Sequence, residues 1–288
     1  MGEDEYPQFK EIWAYGSGET KVVVIPLKGE IVMDAEGGLF SKMSMAETVL
    51  RSIRRATKDP DVKAIILEVD SPGGGVTASD VLHHALLDFR KEQPGRKVIA
   101  LCGDLAASGG FYVAVAANRI VAHPTTIVGS IGVIVGGLNI KELAGKIGVK
   151  DVVIKSGKNK DILNPFEDLS AEQQEMLQHI VDSMHGRFVK LVAEGRKLPE
   201  EKIRPLADGR LFTASDAKEL GLLDDIGYWD DAVRLTAREL GVENVKVYRY
   251  QSNTFLSEFF GSASSRNVLS EWLDENVRTT RFLYRWQL

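Results

Sequence analysis

Ser108 has the setting of a nucleophile. The apolar run Lys97-Val98-Ile99-Ala100-Leu101 breaks at Gly103, small residues follow to Ser108, and Phe111-Tyr112-Val113-Ala114-Val115-Ala116-Ala117 resumes at helical spacing. The pattern predicts strand, tight turn, helix. At such a junction unpaired backbone N–H groups and the positive end of the helix dipole favour an oxyanion forming on a bound carbonyl. The same position also suits an N-cap serine beside packing glycines, the commoner role of this residue type. A second stretch has the same logic. Asp70-Ser71-Pro72-Gly73-Gly74-Gly75 follows the buried-type strand Ala64-Ile65-Ile66-Leu67 and precedes a helix pattern from Ser79. Pro72 stiffens that turn, and glycines let the backbone approach a ligand closely and aim an N–H at a carbonyl. If the two strands are neighbours in one parallel sheet, both turns lie at its carboxyl edge, where α/β folds place their chemistry.

A serine nucleophile needs a base. The five histidines are His83, His84, His123, His179 and His185, and none sits in a glycine-flanked turn. Four lie in helix patterns and His123 precedes Pro124, so a Ser-His-Asp triad has weak support. Lysine is the other option: burial that lowers an ammonium pKa from about 10.4 toward roughly 7–8 leaves a neutral amine able to take a serine proton. Lys155, Lys158 and Lys160 lie together after the run Asp151-Val152-Val153-Ile154, which reads as a strand. Spacing alone does not choose among them, and a solvated basic loop is the ordinary meaning of such a cluster.

Five motifs in order carry a resemblance. They are Asp70-Ser71-Pro72-Gly73-Gly74-Gly75, Ala106-Ala107-Ser108-Gly109-Gly110-Phe111-Tyr112, Gly129-Ser130-Ile131-Gly132-Val133, Lys155-Ser156-Gly157-Lys158-Asn159-Lys160-Asp161 and Ala207-Asp208-Gly209-Arg210. Together, from about Lys21 to Tyr228, the chain resembles the signal peptide peptidase A family of serine peptidases in its short, single-repeat bacterial form. The resemblance implies Ser108 as nucleophile, Lys160 as general base, Ser130 as the serine that orients the lysine, and the Gly74 and Gly109 amides as oxyanion hole. It implies a ClpP/crotonase-type fold of stacked ββα units and no metal or organic cofactor. It further implies a ring-like homo-oligomer whose neighbouring subunits complete each active site. Extended apolar peptides, notably released signal peptides, are the implied substrates, cut by an endopeptidase at the outer face of a bacterial membrane. From the residues alone, Gly129-Ser130 also reads as an ordinary turn. Two rivals stand beside the peptidase: a crotonase-like acyl-CoA enzyme, whose paired N–H groups polarise a thioester, and an inactive scaffold that clamps membrane proteins.

The elements that must position these residues fit an α/β chain of 288 residues, long enough for a large core. With 44% hydrophobic residues and a net charge of −5, the composition is that of a globular protein with no basic footprint for nucleic acid. The lone Cys102 reads as a buried structural thiol. No run of ~18 apolar residues occurs, and Met1-Gly2-Glu3-Asp4-Glu5 is acidic where a secretory signal is basic. Since family members commonly carry an N-terminal membrane anchor, the expectation is that this chain begins just after a removed one; a naturally cytoplasmic homologue is the alternative.

Residues 1–20 read as a mobile arm, and 21–250 as the peptidase domain. Lys21 to Leu27 and Gly29 to Val32 read as a strand pair that Gly37 and Gly38 end. Ser44 and Glu47, in capping-box spacing, open a helix that Asp59-Pro60 stops. Another helix runs from Ser79 to Glu92. After the nucleophile helix come short strands, Arg119 to Ala122 and Ser130 to Val135, then a helix from Leu138 to Ile147. Alternation of short strands with helices argues for α/β architecture. Within a helical extension of about 164–198, Met176, Ile180, Met184, Phe188, Leu191 and Val192 share a face that suits core packing or an oligomer contact. Helices at Ser215 to Leu220 and Tyr228 to Gly241 follow. The tail, 251–288, holds Phe255, Phe259, Phe260, Trp272, Phe282, Tyr284 and Trp286. It reads as a segment that packs on a neighbouring subunit or lies in the active-site groove.

Overall fold

A computed structural model describes residues 9–33, 43–252 and 283–285. Its elements, in order, are β1 (Phe9–Tyr15), β2 (Thr20–Lys28), α1 (Met45–Lys58), β3 (Val62–Ser71), β4 (Gly73–Gly75), α2 (Val76–Glu92), β5 (Lys97–Ala107), α3 (Gly109–Ala114), β6 (Arg119–Ala122) and β7 (Ile127–Gly129). Then follow α4 (Lys141–Lys146), α5 (Ala171–Arg196), α6 (Glu200–Ile203), β8 (Leu211–Thr213), α7 (Ala214–Glu219), β9 (Asp225–Ile226), α8 (Trp229–Leu240), β10 (Val245–Ser252) and β11 (Leu283–Arg285).

The sheet runs β1-β10-β2-β3-β5-β6-β9, with β7 beside β5 and β8 beside β7. Only the β1–β10 and β7–β8 pairs in it are antiparallel. Central strands read as unbroken apolar runs because both faces are covered: Val22 to Ile25 and Ala64 to Leu67 are all buried. On one face Val23, Ile65 and Val98 pack with residues of α1, α2, α3 and α5; on the other, Val22, Ile66 and Ile99 pack with α8. The expected α/β class is therefore observed. Parallel pairing of β3, β5 and β7 points their carboxyl ends the same way, which brings β4, Ser108 and Ser130 to one rim.

Several local expectations change. Residues 9–15 are not a free arm: β1 adds an edge strand along β10, from Phe9 opposite Ser252 to Tyr15 opposite Val247. Gly29 to Val32 makes no strand; Ile31 alone bridges, in parallel, to Gly74. The strand expected at Ser130 to Val135 lies earlier, at Ile127–Gly129, because Ser130 turns the chain with φ 50°. Asp151 to Ile154 is not a strand either: it pairs with no strand among the described residues, and Val152 and Ile154 are 84% and 98% exposed. Ser44 caps α1 by accepting from Glu47 N–H at 3.2 Å, but the Glu47 side chain turns to Arg51 instead of closing the box. Gly37, Gly38 and the tail aromatics other than Tyr284 lie outside the described residues.

α5 is rooted in the body by its last two turns. Phe188, Val189, Val192 and Ala193 are buried, whereas most of the helix before His185 is exposed. Arg196 closes the root, donating to Gly221 O at 2.9 Å and to Asp224 at 2.8 Å. Burial alone would raise the Asp224 carboxyl, but the Arg196 hydrogen bond and charge, with the Ile120 N–H and Arg119, hold it below the ordinary carboxylate range. A lowered carboxyl stabilises the fold above its unfolded-state pKa and loses that contribution as pH falls through the folded value. Unfolding free energy, from urea titrations, is expected to drop more steeply below about pH 4 for the parent than for Asp224→Asn. Parallel slopes would rule out this pair as an acid-labile tie.

Candidate active site

β5 delivers Ser108. Its first half pairs with β6 and its second half with β7, where Ala107 stands opposite Gly129. Ser108 then turns with φ 51° and ψ −117°, a conformation that costs a non-glycine residue on the order of 1–3 kcal/mol. Two backbone bonds hold it there: Ser108 N–H donates to Gly129 O at 2.8 Å, and Tyr112 N–H donates to Ser108 O at 2.8 Å. Although Ser108 occupies the N-cap position of α3, its hydroxyl makes no capping hydrogen bond. The structure thus removes the N-cap reading and leaves the hydroxyl for other chemistry.

The two glycine turns meet because there is no room for side chains. A Cβ on Gly109 would lie 2.5 Å from Ser79 Oγ and 3.1 Å from both Gly73 Cα and Gly74 N. One on Gly110 would lie 2.8 Å from Ser71 O, and one on Gly74 2.3 Å from Ile31 O. Along one edge β4 is held by Ile31, whose N–H donates to Gly73 O and whose carbonyl accepts from Gly75 N–H, each at 2.9 Å. Along its other edge β11 pairs antiparallel, with Leu283 opposite Gly75, Tyr284 opposite Gly74 and Arg285 opposite Gly73.

Ser130 follows β7 as Ser108 follows β5. Its N–H donates to Arg210 O at 2.8 Å, and its side chain lines the same cleft as Ser108, a space of about 490 Å³. Val133 and Ile134 form one wall. α5 forms another with Gln178, Val181, Asp182 and His185, and Ala207 to Gly209 close the third. The α5 residues recur at i, i+3, i+4 and i+7, a stripe of mixed polarity on a different face from Phe188 and Val192. Sequence reading weighed this helix for core and oligomer contacts and missed its role as a cleft wall; the spacing of that polar stripe was the available signal.

The charged and reactive groups nearby are largely committed. His185 Nε2 is 2.7 Å from Ala207 O, which pins the loop to α5. Asp208 accepts from the Arg210 side chain and N–H, which hold its carboxyl at about 2. His83 is buried below α3 against Tyr112, and burial lowers it to about 4, so it is neutral at neutral pH. Cys102 is fully buried, and burial pushes its thiol up to about 12. That makes it structural.

Lys160 stands apart. It lies on an exposed turn, with its N–H on Gly157 O at 3.1 Å, and is not among the residues that line the Ser108 cleft. Its two neighbours are engaged: Lys155 reaches both Asp161 oxygens at 2.8 Å, and Lys158 reaches Glu172 at 2.7 Å. The single chain therefore brings together Ser108, Ser130, Gly74 and Gly109, and leaves Lys160 outside.

Comparison with known proteins decides the class. Residues 90–243, more than half of the chain and including both serines, match the model of Peptidase family S49. The chain belongs to that family. It is a serine-type peptidase, which sets aside the acyl-CoA alternative, and its parallel-dominated sheet is consistent with the ClpP/crotonase-like fold of the S49 peptidases. A protein of Enterococcus faecium named signal peptide peptidase SppA is 34% identical over 261 residues, covering 89% of this chain and 74% of that protein. Protease 4 of Salmonella typhi is 41% identical over 192 residues, covering 66% of this chain and 30% of its own length. The chloroplastic serine protease SPPA of Arabidopsis thaliana is 32% identical over 235 residues, covering 80% and 34%.

Because Gly110 backs directly onto Ser71 O, a methyl group there must push the two turns apart. Gly110→Ala is expected to lower stability by about 2 kcal/mol and to cut peptide turnover about tenfold or more, read by urea unfolding and a casein assay. Parent-like turnover in the folded variant would show that the spacing of the two turns does not matter to catalysis.

Proposed function

We propose that this peptidase is an endopeptidase with a Ser-Lys dyad, acting by acyl transfer on extended, apolar peptides such as released signal peptides. The observation that carries the reading is Ser108: a strained serine whose hydroxyl makes no hydrogen bond among the described residues, against a glycine strand whose outer edge accepts an extended chain. That edge is already paired by β11 of this chain, which supports binding of substrate by strand addition. On this reading β11 lies along the glycine strand as a substrate peptide would.

In the reaction Lys160 Nζ takes the Ser108 proton as Oγ bonds to the peptide carbonyl carbon. The N–H groups of Gly74 and Gly109 donate to the resulting oxyanion. The C–N bond then breaks as Lys160 returns the proton to the leaving amine, giving an acyl-enzyme and the first product. Water, deprotonated by Lys160, attacks the ester, and Ser108 leaves with its proton restored. Ser130 orients the amine. Of the three lysines only Lys160 has no ion pair among the described residues, which favours it over Lys155 and Lys158.

For Lys160 to act it must be delivered to a cleft it does not line in the single chain, and a second copy is the source we infer. The segment that carries it exposes Leu143, Ile147, Val149, Val152 and Ile154, an apolar surface suited to burial between subunits of a ring. On this reading the activity lies at the outer face of a bacterial membrane, as the family resemblance implies. Among the described residues no helix is long and apolar enough to cross one.

Ser108→Ala and Lys160→Ala are each expected to reduce casein hydrolysis by about 10³-fold or more with the fold retained by circular dichroism. Turnover surviving in either variant would refute the dyad, and a parent that turns nothing over would favour the scaffold reading. If the lysine comes from a neighbour, co-refolding the two inactive variants restores activity; failure to restore it in mixed assemblies places the lysine in the same chain. A synthetic peptide of the sequence from Phe282 to Leu288 is expected to raise KM for a reporter peptide and leave kcat unchanged. Inhibition that lowers kcat alone would mean that it binds elsewhere.

A further inference from the structure

We propose that Asp80 is a positioning residue for peptide hydrolysis: its carboxylate fastens the helix that begins at Ser108 to α5, the helix that walls the cleft. The inference rests on Ser108 being the nucleophile, and it assigns separate kinetic roles to the two halves of one hydrogen-bonded cluster.

Asp80 lies in the first turns of α2, just after the glycine strand. Its Oδ1 accepts from Tyr112 Oη at 2.6 Å and from Arg187 at 2.6 Å (Nη2) and 3.0 Å (Nε). Arg187 Nε also lies 3.2 Å from Tyr112 Oη. Three elements that are distant in sequence thus meet at one carboxylate oxygen. Hydrogen bonds of this kind, to an ionised acceptor, are shorter and stronger than neutral ones.

Each donor leads to a different part of the site. Tyr112 is fully buried, with its ring 4.9 Å from that of Phe188, and its own N–H closes the first turn of α3 on Ser108 O. Fixing its phenol fixes the turn that holds Ser108 in its positive-φ conformation. Arg187 sits on α5 two residues beyond His185, the last of the residues that α5 contributes to the cleft. Before that point α5 is largely exposed, and the Asp80–Arg187 bond ties the cleft wall to α2 where the helix leaves the body. The Tyr112 branch should therefore govern the chemical step, and the Arg187 branch the fit of the peptide.

The test separates them. With active sites counted by fluorophosphonate titration of Ser108, Tyr112→Phe is expected to lower kcat about tenfold and to keep KM within about twofold. Arg187→Met, a half-exposed substitution that leaves the core intact, is expected to raise KM about fivefold with kcat within about twofold, and Arg187→Lys to recover part of that loss. Asp80→Asn should show both effects. If all these variants match the parent per titrated site, or lose only titratable sites, Asp80 has no positioning role. Should the parent fail to label at Ser108, or Ser108→Ala retain turnover, the nucleophile assignment falls and this inference with it. A dead Ser108→Ala beside parent-like Asp80→Asn, Tyr112→Phe and Arg187→Met overturns this inference alone.

Discussion

The structure depends on one backbone conformation, the positive-φ turn at Ser108. A cost on the order of 1–3 kcal/mol for a non-glycine residue there is a sizeable part of the roughly 5–15 kcal/mol that holds a typical domain folded. The turn survives because relaxing it would undo more. It would break the bond from Ser108 N–H to Gly129 O and pull α3 out of register with the sheet, and Phe111, Tyr112 and Val113 of that helix are fully buried. Core packing and two main-chain hydrogen bonds thus fix the serine, while its own side chain contributes no cap.

That constraint propagates to its neighbours. A chain that reverses so tightly must bring its next residues against β4, so Gly109 and Gly110 have no room for a Cβ, and Gly74 faces Ile31 at a distance only a glycine permits. Parallel pairing extends the pattern sideways. β5 and β7 run in step from Leu105 opposite Ile127 to Ala107 opposite Gly129, so the residues that follow them, Ser108 and Ser130, emerge together, and both have positive φ. Register in the sheet, set by apolar residues far from the rim, therefore places the two hydroxyls in one cleft.

Legibility in the sequence tracks this division. Strand-glycine-helix order is local, so β3 with β4 and β5 with Ser108 could be read from spacing, as could the α/β class. Features that need a partner could not. Asp151 to Ile154 has the composition of a strand and remains unpaired, because composition records the preference of a segment and not whether an edge is available to it. Phe9–Tyr15 failed in the opposite sense: Lys10 and Glu11 give it a polar look, yet in this edge strand Lys10 faces solvent and half-buried Glu11 accepts from Lys21 Nζ at 2.6 Å. The meeting of Asp80, Tyr112 and Arg187 spans 107 positions between its first and last members, and no periodicity within one helix encodes it.

The contrast between the buried and the exposed parts of the site has a physical basis. Oxyanion donors and a nucleophile act only within a few tenths of an ångström of their productive positions, which regular backbone supplies and long side chains do not. In the proposed assignment Gly74, Gly109 and Ser108 take these roles, and they sit on strand ends and a helix start. A lysine is different: its four-carbon stem and compact charge tolerate delivery from an irregular segment, but its amine acts as a base only where water is excluded. An exposed turn such as that of Lys160 meets the first requirement and leaves the second to whatever covers it. On the proposed assembly, the apolar side chains exposed along Leu143 to Ile154 supply the driving force for such a cover, so that burying them and drying the amine become one event.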